Sequence, residues 1–137
     1  MIASSTLLLM ANGGFRMVND IGVGEQINGG TVTGIRSGMC DCQWCDFHGV
    51  HLGEYHIVFE DGLWKFAKDA DASNRIPPYD VYYSLNTTSH RLFGINNTTF
   101  ADDVVFNHDH PARDLERVQA DDMLEYLNGT KVVDGAA

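Results

Sequence analysis

His56-Ile57-Val58-Phe59-Glu60-Asp61-Gly62-Leu63-Trp64-Lys65-Phe66-Ala67 carries the clearest fold signal in the chain. Asp-Gly between two apolar, β-rich stretches is a strong hairpin signature, because a tight two-residue turn needs positive φ at both central positions. The reading is therefore two strands, His51–Phe59 and Leu63–Ala67, joined at Asp61-Gly62. Working outward, the same punctuation recurs. Thr6–Met10 is an apolar run, Asn12-Gly13-Gly14 a turn, and Phe15–Val18 alternates as a half-buried strand does. A turn over residues 19–24 leads to Gln26-Ile27. Gly29-Gly30 interrupts, and Thr31–Ile35 resumes strand character. Val81–Leu85 and His90–Ile95 form another pair across Asn86-Thr87-Thr88, and Thr98–Ala101 with Val104–Phe106 closes the β part.

The last third changes character. Pro111 suits the start of a short helix carrying Leu115 and Val118. Asp121 or Asp122 can cap a second helix with Met123, Leu124 and Leu127, and Asn128-Gly129 is a natural stop. The expected organisation is a mainly β domain over residues 1–106 and a helical C-terminal extension over residues 107–137.

A chain of 137 residues is the size of one domain, and such a domain buries roughly 70% of its unfolded surface. With 44% hydrophobic and 20% charged residues the composition is globular. The formal charge is −10, which disfavours nucleic acid and anionic membrane, since both recruit positive surfaces. No apolar run approaches the ~20 residues that span a bilayer. Met1–Met10 lacks the basic start of a signal peptide. A cytoplasmic or virion-associated location is the expectation, and the Asn-x-Thr sequons at Asn86, Asn96, Asn97 and Asn128 read as products of Asn- and Thr-rich loops.

All 3 cysteines fall in Cys40-x-Cys42-x-x-Cys45-x-x-His48, with His51 nearby. Thiolates and imidazole are the ligands of structural zinc, which takes a tetrahedral set. Cys40, Cys42, Cys45 and His48 would fill it and leave no open position for water. The other reading is three thiols in a loop. His108 and His110 offer a weaker pair with no third ligand in sequence, and Trp64 with Phe66 reads as packing.

Three blocks of the chain, in order, resemble the Hint domain shared by inteins and hedgehog autoprocessing domains. The first is Met1-Ile2-Ala3-Ser4-Ser5-Thr6-Leu7-Leu8-Leu9-Met10-Ala11-Asn12-Gly13-Gly14 followed by Asp20-Ile21-Gly22-Val23-Gly24-Glu25. The second is His56–Ala67. The third is Val81-Tyr82-Tyr83-Ser84-Leu85 with His90 and Asn96-Asn97. The resemblance spans Met1 to about Asp103 and implies a flat, horseshoe-shaped β disc with both chain junctions at one place. It also assigns catalytic positions to His56, His90 and Asp102.

The departures from that pattern matter more for function. Splicing begins when a Cys or Ser at position 1 attacks the preceding carbonyl, and Met1 has no such group. The Thr that helps polarise this peptide bond is replaced by Gly53. The resemblance places Ala101 and Asp102 where inteins end His-Asn. A carboxylate has no amide nitrogen for the ring closure that an asparagine performs. Asp103 follows in place of Cys, Ser or Thr, and the chain continues to Ala137.

Two functions follow as expectations. One is an intein-like Hint domain, degenerate for splicing, acting as a structural or one-sided self-cleaving module of a larger protein of the bacteriophage virion kind. Its partners would be host polypeptide segments in cis. The other is a zinc-stabilised protein-interaction domain that works through the Cys40–His48 loop. Neither a Gly-x-Ser-x-Gly elbow nor a phosphate loop is present, so no enzyme acting on other molecules is expected, and any chemistry is a single self-cleavage.

Overall fold

The computed structural model describes residues 1–39, 42–103 and 121–129. Among the described residues the chain is mainly β, with short strands in several small sheets and one helix over 121–127. β1 (Leu7–Leu9) and β2 (Phe15–Met17) form an antiparallel hairpin. Its turn is held by the Asn12 side chain, whose Oδ1 accepts from the Gly14 N–H at 2.9 Å. β3 (Gln26–Ile27) and β4 (Gly30–Met39) follow, and β4 pairs along its length with β10 (Val81–Thr87). β5 (Trp44–Phe47) is central to β6 (Val50–Gly53) and β9 (Ser73–Ile76). The remaining sheet runs β11 (Arg91–Phe93), β12 (Thr99–Ala101), β7 (Ile57–Glu60), β8 (Leu63–Phe66).

The Asp61-Gly62 hairpin forms as its sequence predicts, with φ of 53° and 82° at the two turn residues and Glu60 paired with Leu63. His48-Gly49 makes a second such turn between β5 and β6, with φ of 52° and 88°. The expected single strand over His51–Phe59 is instead two strands in different sheets. The chain turns after Gly53, where the His56 N–H donates to the Gly53 carbonyl at 3.0 Å, so β6 stays with β5 while β7 crosses to β8 and β12. Two strands leave no clear mark in the sequence. β5 carries the cysteine-rich segment that reads as a metal loop, and β9 is too polar to show alternation. β4 runs on from Ile35 to Met39 because Arg36, Ser37 and Gly38 find partners on β10 in Ser84, Tyr83 and Tyr82.

The core unites Ile2, Leu8, Val18, Val32, Phe47, Leu52, Leu85, Leu92 and Phe100 from every sheet. Burying each such side chain contributes about 1.5–3 kcal/mol. Ile2 has a particular place: it bridges Leu52 of β6 and Tyr83 of β10, so the start of the chain is a rung between two sheets.

The helix over 121–127 forms as expected and ends at Asn128-Gly129, with Gly129 at φ 77°. Met123 packs with Ile57, Phe66 and Ala101, and Leu124, Tyr126 and Leu127 lie against the same cluster. Val104–Phe106, the helix expected from Pro111, the His108/His110 pair and the 106/107 boundary lie outside the described residues.

Candidate functional site

The backbone of residues 1–3 is laced between β6 and β10. The Ile2 N–H donates to the Tyr83 carbonyl and the Tyr83 N–H donates back to Ile2, both at 2.9 Å. The Gly53 N–H donates to the Met1 carbonyl at 2.9 Å, and the Ala3 N–H to that of His51 at 3.2 Å. This lacing delivers the Met1 α-nitrogen to 2.7 Å from Nδ1 of His56 and 3.4 Å from both carboxylate oxygens of Asp103.

An ammonium can only donate, so Nδ1 of His56 is the acceptor and the ring proton sits on Nε2. Nε2 donates to the Ala101 carbonyl at 2.6 Å. Both nitrogens are thus assigned, and the imidazole is neutral. Burial pushes its pKa down to about 4, and the neighbouring α-ammonium adds to the shift. The carboxylate of Asp103 and the Ala101 carbonyl act the other way without prevailing. Burial alone would raise Asp103, but the α-ammonium and His56 hold its carboxyl below its ordinary value.

One residue upstream, Asp102 faces a different set of partners. Its Oδ2 accepts from the Thr87 N–H at 2.6 Å, from the Thr87 hydroxyl at 3.2 Å and from Nδ1 of His90 at 3.1 Å. The Thr87 hydroxyl also accepts the His90 N–H at 3.0 Å, which fixes His90 at its positive φ of 59°. Asp102 Oδ1 is buried and has no hydrogen-bond partner among the described residues. Burial raises the Asp102 carboxyl above the ordinary range, against the hydrogen bonds from His90 and Thr87. On the far side of the peptide bond, the Asp103 N–H donates to the Leu85 carbonyl at 2.8 Å.

The chain's first residue and the 102–103 peptide thus share one site. Solved structures with a similar fold include intein splicing domains. The chain is similar to the MchDnaB-1 intein (TM-score 0.59, 12% identity, covering 74% of this chain and 100% of that one). It is similar to a variant of that intein (TM-score 0.60, 13% identity, 74% and 99%). It is also similar to the Msm DnaB1 intein splicing domain bound with zinc (TM-score 0.57, 13% identity, 74% and 100%). The fold is the Hint-like fold of inteins. No protein-family model and no curated protein matches the chain.

Within this Hint-like fold, Met1 with His56, and His90 with Asp102, meet as two adjoining groups. Asp103, Thr87 and Ser84 join them. The sequence marks Asp103 only as an unsuitable residue after the junction. Ser84 lies in the third block of the resemblance with no role attached to it, and Thr87 reads only as part of the Asn86-Thr87-Thr88 connection. Gly53 contacts Met1 directly: a Cβ there would lie 3.4 Å from the Met1 Cβ, an ordinary contact. The position would therefore accept a Cβ in ordinary contact with Met1 and is chemically empty.

Among the described residues, Cys42, Cys45 and His48 do not come together as a ligand group. Cys45 is buried in the hydrophobic core on β5, Cys42 is disulfide-bonded, and His48 sits exposed at the hairpin tip with its ring against Phe47. A disulfide sulfur is not a thiolate ligand, and a side chain turned into the core cannot meet one at the tip. Cys40 lies outside the described residues. His51 is held otherwise, by the Tyr79 hydroxyl at 2.6 Å and Asp46 at 3.0 Å. Among the described residues, the acids close enough to share a cation are Glu60, Asp61 and Asp71. Glu60 already accepts from the Asp71 and Ala72 N–H groups and from Lys65.

Proposed function

We propose that this chain is an intein-like Hint module, degenerate for splicing, that serves as a structural or one-sided self-cleaving part of a larger protein of the virion or baseplate kind. One observation carries the reading: the residue 1 nitrogen lies within hydrogen-bond reach of His56 and Asp103, with no nucleophile at either residue 1 or residue 103. In a longer chain that nitrogen is the amide of the entering peptide bond. Neutral His56 Nδ1 then accepts its N–H, and the charge repulsion that helps depress His56 disappears. The acid–base group for activating the junction is kept, while the thioether of Met1 cannot attack and the carboxyl of Asp102 cannot form an asparagine's cyclic imide.

The module's partners on this reading are its own flanking segments in cis. Against the zinc-stabilised alternative stand the disulfide at Cys42 and the burial of Cys45 in the core. The deciding experiment places a small folded tag before residue 1 and another after residue 137 and weighs the products. The expected result is that the two tags are never joined. A ligated tag–tag product with the module excised overturns the reading.

A further inference from the structure

We infer that Asp46, His51 and Tyr79 form a relay that makes the Tyr79 hydroxyl a nucleophile toward activated acyl groups, so that the chain takes up an acyl group at this tyrosine. This chemistry lies outside the residue 1 site and does not depend on the function proposed above.

The hairpin of β5 and β6 builds the first half of the relay. Asp46 and His51 are direct cross-strand partners, so their side chains stand on one face of the sheet. Asp46 Oδ1 accepts from the Gly49 N–H at 2.8 Å, which ties the carboxylate to the His48-Gly49 turn. Asp46 Oδ2 lies 3.0 Å from Nε2 of His51. A carboxylate only accepts, so in the neutral ring the proton sits on Nε2 and Nδ1 presents a lone pair. Tyr79 meets that lone pair: its hydroxyl donates to Nδ1 at 2.6 Å.

The phenol is held from its other side as well. Its ring meets the fully buried Trp44 edge-on at 5.0 Å, and Pro77-Pro78 immediately before it restrict the backbone that carries it. The order is thus hydroxyl, imidazole, carboxylate, which is a nucleophile, its base and the group that orients the base. The side chains of His51 and Asp46 keep 33% and 34% of their surface exposed, and Tyr79 is half-buried, so a reagent can reach the hydroxyl. Contacts this open to water add little to stability, and fold stability alone does not account for three matched groups.

The step balances without a further reactant. The Tyr79 oxygen bonds to the carbonyl carbon of an ester with a good leaving group, such as an aryl ester. Its proton passes to His51 Nδ1, and Asp46 faces the imidazolium that results. The tetrahedral adduct collapses, the carbon–oxygen bond to the aryl group breaks, and the aryloxide leaves with the proton from Nδ1. The products are O-acyl-Tyr79 and a phenol.

The test exposes the whole 137-residue chain at neutral pH to p-nitrophenyl acetate and maps the acetylated positions over time by peptide mass spectrometry. Tyr55, Tyr82, Tyr83 and Tyr126 are half-buried too and serve as internal standards of accessibility. Expected is acetylation of Tyr79 about 10²-fold faster than of any of these four. Unfolding in urea should bring all of them to one rate. His51→Gln, with circular dichroism unchanged, should bring Tyr79 down to the level of the others. Asp46 acts through His51 and is a positioning residue, so Asp46→Asn should slow Tyr79 and leave the rates of the other four as they were. The comparison among tyrosines in the folded and unfolded parent chain stands even if a variant folds poorly. Labelling of Tyr79 no faster than the other tyrosines in folded protein, an advantage that persists in urea, or fast labelling in folded His51→Gln overturns the inference.

Discussion

Nε2 of His56 donates to the Ala101 carbonyl at 2.6 Å, while Nδ1 of the same ring accepts from the Met1 α-nitrogen at 2.7 Å. One neutral imidazole therefore ties the beginning of the chain to the peptide just before the 102–103 junction. Losing either bond would leave a polar nitrogen stranded in a buried site.

This neutral state makes stability depend on pH. The folded pKa of about 4 lies below the ordinary 6.5, so the unfolded chain takes up a proton first as pH falls. The contribution of His56 is complete above pH 6.5 and is lost between there and about pH 4. Its ceiling is about 3 kcal/mol, at 1.36 kcal/mol per unit. Asp103, depressed in the fold, loses stability in the same direction but only as pH falls below the ordinary carboxyl value, whereas raised Asp102 works oppositely. Urea titrations at successive pH values should show the loss, and His56→Gln should flatten it between pH 6.5 and 4. An unchanged slope in His56→Gln would show that the ring is not held neutral.

Restoring the missing nucleophile should restore the first step. With a tag before residue 1, Met1→Cys should release that tag on addition of a thiol, and the parent chain should not. Adding His56→Ala should slow the release by about 10²-fold or more, the usual worth of a positioned acid–base group. Release that is indifferent to His56 would count against the site as drawn.

Gly53 offers a second restoration. A methyl group added at its Cα would stand 3.4 Å from the Met1 Cβ, an ordinary contact. Gly53→Thr in the Met1→Cys background should accelerate thiol-induced release roughly tenfold, by returning a hydroxyl donor to the bond under attack. Slower release, with the fold intact by circular dichroism, would place that hydroxyl elsewhere.

Thr87→Val removes the hydroxyl that donates to Asp102 and accepts from His90 while keeping side-chain volume. The stranded partners should cost about 1–3 kcal/mol in urea unfolding.

Gly94→Ala tests packing away from this chemistry. A Cβ at Gly94 would lie 2.7 Å from the Thr98 hydroxyl and 3.1 Å from both Phe100 and Val50. Overpacking of this kind costs about 1–3 kcal/mol, visible as a lower melting temperature. An unshifted transition would mean that β11 and β12 are looser than this packing implies.

Read residue by residue, the chain already specifies its β character, the Asp61-Gly62 hairpin, the helix stop at Asn128-Gly129 and the chemical emptiness of positions 1 and 53. Each of these is a local matter: a dihedral only certain residues tolerate, or a functional group present or absent. The break after Gly53, the strand character of Trp44–Phe47, and the turning of Cys45 into the core came from the assembled fold. So did the meeting of Thr87 and the 102–103 peptide with His90, and of Asp103 with Met1. Those outcomes depend on which strands pair, and pairing between distant segments leaves no local pattern in a chain to be read.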